Sequence, residues 1–294
     1  MSAINHAMTV LGLFTREVRE LGVREMSRRT GLSKSTVHRV VSELAAGRFL
    51  EKDPQSGRYR LGIRLLELGG LVQTQLELSE TVEPILRTLV RLSGESVHLG
   101  ILDDLEVVRA TKVEGAHEDR LHSYLGERLP LYCTAGGKVI LAFRGPELTE
   151  RVIAHGLQPR TRHTLVNPKD LRAHLRDVRS QGYALDLDEL HEGLRCVGAP
   201  IRDGTGAVIG AVTIVGPAAR LPLDRLRLLA GPVVEAAREV SRRLEARQLA
   251  AVRVDVWRAS AGPHPRPPGP RHPPAIGTGL VLRRAGSPGR QGRG

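Results

Sequence analysis

The stretch Gly22 to Leu61, GVREMSRRTGLSKSTVHRVVSELAAGRFLEKDPQSGRYRL, constrains this chain most. Its first half fits two short helices and a tight turn. Val23, Met26 and Leu32 supply the apolar side of the first helix and the turn. Gly31 falls where a helix ends in the left-handed region, which a residue without Cβ enters at least cost. Ser33 follows as an N-cap and opens a second helix from Lys34 to about Ala46. Val37, Val40, Val41 and Leu44 recur there at i, i+3, i+4 and i+7, one stripe for burial. The other face carries Lys34, Ser35, His38, Arg39 and Ser42, with Thr36 in the same first turn. Donors and cations around a helix N-terminus suit the base edges and phosphates of a major groove.

Two short alternating runs come next, Phe49 to Lys52 and Arg58 to Leu61, around the turn-forming Asp53-Pro54-Gln55-Ser56-Gly57. A basic hairpin directly after a helix-turn-helix is a wing, and its Arg58 and Arg60 are candidate phosphate contacts. The competing reading is a winged helix used for protein contact. Charge is divided unevenly along the chain. Residues 1–60 hold 11 Lys+Arg against 6 Asp+Glu, residues 61–250 hold 25 of each, and residues 251–294 hold 8 against 1. The net +12 thus belongs to the two ends. A basic head on a neutral body suits a DNA-binding module joined to a domain with another task.

At 294 residues the chain has length for two domains. Two cysteines and no N-terminal apolar segment point to a reducing cytoplasm. No apolar run approaches the ~20 residues of a membrane span. Aromatic residues make up only 3%, too few for stacking platforms on single-stranded nucleic acid. Cys133 and Cys196 are single, and the eleven histidines show no metal-binding spacing. His98, His117 and His122 can meet only through tertiary structure. No metal, cofactor or catalytic residue is expected. An enzyme with a DNA-binding appendage is the alternative, and it would have to use Cys196 with His191 as base and Asp186 nearby.

Ile4 to about Phe14 has helical spacing and precedes the helix-turn-helix. Gly62 to Gln75 is helical, with Ile63, Leu66, Leu71 and Val72 on one side. Leu78 to Ser93 is the next helix. Ser96 to Leu102 and Glu106 to Ala110 form a strand pair turning at Asp103-Asp104, and Leu121 to Tyr124 adds a further strand. Helices are expected at Thr134 to Phe143, Glu147 to His155 and Asn167 to Gln181. Tyr183 to Asp186, Arg195 to Arg202 and Ala207 to Val215 are strands, the last two joined at Asp203-Gly204-Thr205-Gly206, a hairpin signal. Leu223 to Ala250 closes as a long helix. Hairpins mixed with helices predict an α+β fold with an antiparallel sheet. Residues 251–294 contain eight Pro and eight Gly with little periodicity. Such a composition buries too little apolar area to order itself, so a disordered tail is expected.

The run VREMSRRTGLSKSTVHRVVSELAAGRFLEKDPQSGRYRLGIRLLELG resembles the DNA-binding half of the IclR family of bacterial transcriptional regulators. The likeness extends over about residues 4 to 248. It rests also on Leu129 to Lys138, on DLDELHEGLRCVGAP (186–200) and on Ala211 to Pro217, in that order. Gly136-Gly137-Lys138 is similar to the end of a phosphate loop, but Tyr132 takes the place of its first glycine and Val139 that of its Ser/Thr. The resemblance implies a winged helix-turn-helix over 1–61, a linker helix over 62–77 that helps to pair subunits, and a GAF-like effector domain over 78–250. It implies a dimer or a dimer of dimers on a double-stranded DNA operator, acting as repressor or activator. A small organic effector, carboxylate-bearing, would bind the second domain. By position, Ala135 and Gly136 would offer backbone N–H groups, and Asp186, Leu194, Cys196, Thr213 and Val215 would line the cavity. Family members that take small oxoacids place a hydroxyl where this chain has Val215, so a less polar effector is expected here. The stripe on the linker helix has a second reading, as a cover for the chain's own core.

Overall fold

A computed structural model of the chain describes residues 2–75, 82–115 and 123–246. They divide into two units, with the break after Glu67. The first contains α1 (Ala3–Leu11), α2 (Val23–Thr30), α3 (Lys34–Ala46), β1 (Leu50–Lys52), β2 (Tyr59–Leu61) and the start of α4 (Ile63–Gln75). Gly31 ends α2 at φ +73, and the Ser33 side chain accepts from Thr36 N at 3.2 Å to start α3. Val37, Val40 and Val41 pack with Val10, Leu21, Met26, Leu50 and Tyr59 into one small core. Leu21 joins the wing by two backbone hydrogen bonds with Tyr59, at 2.9 and 3.0 Å. These bonds tie the segment before α2 to the hairpin after α3, so helix-turn-helix and wing form one body.

The second unit is built on a six-stranded antiparallel sheet ordered β5-β4-β3-β8-β7-β6. Its strands are β3 (Ser96–Asp103), β4 (Glu106–Val113), β5 (Arg128–Pro130), β6 (Ala184–Leu187), β7 (Leu194–Arg202) and β8 (Val208–Pro217). Side chains alternate between the two faces of a strand, and here both faces are buried. Val97, Leu99, Val197, Ala199, Val212 and Ile214 pack against α5 (Glu83–Ser93) and α9 (Leu223–Ala246). Leu102, Val107, Ala184 and Ala211 face α6 (Ala135–Arg144), α7 (Pro146–His155) and α8 (Pro168–Gln181). Gly198 lets α6 come down onto the sheet. A Cβ there would lie 2.8 Å from Thr213 Cγ2 and 3.2 Å from Gly136 N.

Four sequence expectations change. The first helix stops at Leu11 instead of Phe14, because Gly12 caps it. β4 runs three residues beyond Ala110. β5 was not anticipated: it is three residues long, has no alternating pattern, and takes its shape from pairing with β4 at the sheet edge. The stripe on α4 does not cover a core, since Ile63, Leu66, Leu71 and Val72 are 48–70% exposed. Of the strand expected at Leu121 to Tyr124, residues 121 and 122 lie outside the described residues, and Ser123 and Tyr124 belong to no strand. Residues 78–81, the end of the last helix beyond Ala246 and the expected disordered tail also lie outside them.

Gly198→Ala should destabilise the second unit by about 1–3 kcal/mol, as overpacking does. Urea unfolding of the variant checks this, and an unchanged midpoint would show that α6 does not depend on that close approach.

Candidate functional site

The polar face of α3 is exposed along Lys34, Ser35, His38 and Arg39. Lys34 and His38 make no side-chain hydrogen bond or ion pair among the described residues. Arg39 is 62% exposed and only loosely paired, 3.9 Å from Glu43. Ser33 is committed locally: besides capping Thr36 N, its hydroxyl lies 2.9 Å from Ser35 Oγ and 2.8 Å from Thr36 Oγ1. The wing arginines are committed too. Arg58 Nη2 donates to Glu25 at 3.0 Å and to Glu20 O at 2.9 Å. Arg60 holds both oxygens of Glu51, at 3.1 and 3.0 Å. The free donors therefore sit on α3, while Arg58 and Arg60 would have to exchange or share a carboxylate to meet a phosphate.

In the second unit, Ala135, Gly136, Asp186, Leu194, Cys196, Thr213 and Val215 all line one cavity of about 60 Å³. Three segments far apart in sequence converge there because β6, β7 and β8 are neighbours. Asp186 faces Cys196, which faces Val215, and Gly198 faces Thr213. The helical side of the cavity is the N-terminus of α6, whose Thr134 cap accepts from Gly137 N at 3.1 Å. The amides of Ala135 and Gly136 precede the first intrahelical donor, Lys138 N, which reaches Thr134 O at 2.9 Å, so this end presents N–H groups with no partner in the helix. His98, Gly100, Val107, Arg109 and Leu129 complete much of the wall. The sequence reading did not connect His98 or Arg109 with this site.

Two family models match the chain: the IclR helix-turn-helix domain over residues 3–54, and the bacterial transcriptional regulator IclR C-terminal model over residues 71–242. The chain belongs to the IclR family of bacterial transcriptional regulators. It is 35% identical to the HTH-type transcriptional regulator XynR of Escherichia coli over 215 residues, covering 73% of this chain and 85% of XynR. It is 33% identical over 243 residues to KdgR of the same organism, covering 81% and 92%. Among solved structures, an IclR homologue from Microbacterium hydrocarbonoxydans complexed with 4-hydroxybenzoate matches with a TM-score of 0.74 at 26% identity, covering 83% of this chain and all of that one. The Thermotoga maritima IclR structure matches with a TM-score of 0.66 at 30% identity, covering 82% and 98%.

In this IclR-family regulator a buried charge cluster adjoins the cavity. Lys138 of α6 is fully buried and ion-pairs with Glu189, which is also buried. Glu189 N donates to Asp186 Oδ1 at 2.8 Å. Burial pushes the Asp186 carboxyl up to about 7, opposed by Lys138 and reinforced by Glu189. Burial, with Asp186 nearby, also holds the Cys196 thiol well above its usual range. Cys196 is therefore a protonated thiol at neutral pH, not a thiolate nucleophile. His191 is not among the residues lining this cavity.

The raised Asp186 pKa has a definite sign. Unfolded, the carboxyl releases its proton near 3.8, whereas folded it keeps it up to about 7. The contribution of this proton to stability is complete below about pH 4 and is lost as the pH rises to 7. Asp186→Asn keeps the acceptor for Glu189 N and never ionises. The variant should match the wild type at about pH 4 and below, draw ahead as the pH rises, and exceed it at pH 8 by up to about 4 kcal/mol. Urea melts at both pH values test this; equal stability difference at the two would place the Asp186 pKa near that of an ordinary carboxyl.

Proposed function

We propose that this IclR-family transcriptional regulator binds a pseudo-palindromic operator as a dimer or higher oligomer. A small organic effector, carried in the cavity of the second unit, changes that affinity. The convergence of seven residues from three distant segments on one cavity is the observation that carries the effector reading. Residues 1–61 act as the DNA-binding domain, 62–77 as the linker helix and 78–250 as the effector domain, in the cytoplasm. Lys34, Ser35, His38 and Arg39 of α3 meet base edges and phosphates, and Thr36 and Ser33 shape the helix start beside them. Arg58 and Arg60 contribute from the wing. Exposed Ile63, Leu66, Leu71 and Val72 on α4, with Ile4 and Met8 on α1, support self-association. Two recognition helices then reach half-sites about one helical turn apart.

Catalysis is the weaker reading: a buried, protonated Cys196 without His191 beside the cavity lacks an activated nucleophile. The relative bound to 4-hydroxybenzoate supports a small carboxylate-bearing molecule as the effector class. The cavity here holds about 60 Å³, room for about four to six water-sized groups at ~10–15 Å³ each.

Arg39→Ala and Lys34→Ala should weaken operator binding with no change in melting temperature. A base contact by Arg39 is worth roughly 1–3 kcal/mol and its loss relaxes preference at one position. A phosphate contact lowers affinity for every sequence and flattens the salt slope by about one. Gel-retardation titrations distinguish the two, and unchanged affinity in both variants removes α3 from the interface.

Thr213→Val deletes one cavity hydroxyl and should cost the effector about 0.5–1.5 kcal/mol. Cys196→Ser should alter the response as well. Effector titrations of the operator complex measure both, and two unaltered responses would place these side chains in the core instead of the binding site.

A further inference from the structure

β3 and β4 slip by one residue in mid-sheet. Leu99 faces Thr111, yet Gly100 faces Arg109, so Ala110 is the extra residue of a β-bulge. The slip decides which way Arg109 points. In an unbroken ladder Gly100 would face Ala110, and Arg109 would turn to the face that packs on α5 and α9. Ala110 packs against that core instead. Arg109 comes over to the other face and lines the cavity with His98, Cys196 and Thr213. Gly100 leaves the room, since a Cβ there would fall 2.3 Å from Val107 Cγ1.

The side chain so placed is buried, with only 8% of Arg109 exposed. Its Nη1 is taken by an ion pair with Glu127 and by Tyr124 O at 3.4 Å. Nε–H and the Nη2 hydrogens have no hydrogen-bond acceptor among the described residues. Burial lowers the guanidinium to about 10, which leaves it charged at neutral pH. His98, the other basic side chain of the wall, is held neutral by burial and by Arg109 and Lys112. Arg109 is thus the one cation among the described residues of the wall. The unused donors of this mostly buried guanidinium favour an acceptor that reaches them from the cavity.

The geometry points to Arg109 as the anchor of a small organic anion in this cavity, its Nε–H and one Nη2–H gripping the two oxygens of a single carboxylate. The planar fork matches a carboxylate in this two-bond manner. Glu127 keeps Nη1. Asp186 lines the same cavity from β6, four strands from β4 in the sheet order. The inference rests on the cavity being the effector site and adds the residue that reads the effector's carboxylate.

Calorimetric titration of the full-length protein tests it with acetate, propanoate, lactate and butanoate, each against its primary amide. These probes are small acids that differ in length and in one hydroxyl. At least one acid should bind at least tenfold more tightly than its amide. Arg109→Gln should abolish that preference and bring acid affinity to the amide level. Arg109→Lys keeps the charge without the fork, and should still prefer acids with severalfold weaker affinity. Ligand-free melting establishes that each variant folds; should Arg109→Gln not fold, the wild-type pairs and Arg109→Lys decide. Equal binding of acids and amides, no binding of any acid, acid preference surviving in Arg109→Gln, or its loss in Arg109→Lys overturns the proposal. Val215→Phe fills the cavity and should remove acid and amide binding together. Acid binding that persists unaltered in Val215→Phe overturns the effector cavity itself, whatever Arg109 does.

Discussion

Burial of one sheet on both faces governs the second unit. Strands β3, β8 and β7 have no solvent side, so each residue goes either to the α5 and α9 core or to the α6 side. Val212 and Ile214 take the first, while Ala211, Thr213 and Val215 take the second. A one-residue slip anywhere would exchange these sets. The cavity exists because small residues gather on the second face. Gly100, Gly136, Gly198 and Ala211 leave space where larger side chains would meet. Neighbouring layers remain packed, with Val139, Ile140 and Leu141 of α6 buried.

Local chemistry made the first unit legible. Gly31, Ser33 and the valine stripe fix the turn and α3 through backbone preference, capping and burial, all within 20 residues. The hairpins at Asp53 to Gly57 and Asp203 to Gly206 were readable for the same reason. Period and spacing did not pick out the seven cavity residues; they came from the resemblance, because Ala135, Asp186 and Thr213 meet only through strand order. Arg109 was illegible because the bulge at Ala110 reverses the alternation that would have placed it. Lys138 looked like the end of a phosphate loop, and nothing near it in sequence announces a carboxylate 51 residues away. The wing arginines were read as candidate phosphate contacts, and nothing near them in sequence showed that Glu25 and Glu51 engage them across turns and strands.

Opposite electrostatic regimes operate in the two units. On α3 the cations are exposed, so their interactions are screened and salt-dependent. Around the cavity the charges are buried, and each must be balanced by a near neighbour. The Lys138–Glu189 pair is balanced in charge, although Glu189 Oε2 has no hydrogen-bond partner among the described residues. Asp186 is the additional acid. Protonated, it leaves that pair neutral as a unit; ionised, it sets two carboxylates against one ammonium.

This balance reaches α6 through a short series of contacts. Asp186 accepts from Glu189 N, Glu189 holds Lys138, and Lys138 stands one turn inside the helix whose first amides face the cavity. The charge of Asp186 therefore bears on the segment that carries Glu189 and on the end of α6 that faces the cavity. An ionised Asp186 strengthens its attraction to Lys138 and its repulsion from Glu189 at once. Those two effects oppose each other, so burial remains the main cause of the raised pKa and Lys138 offsets it only in part. The group in this wall most sensitive to its surroundings near neutral pH is consequently the one joined by direct contacts to the helix end that lines the cavity.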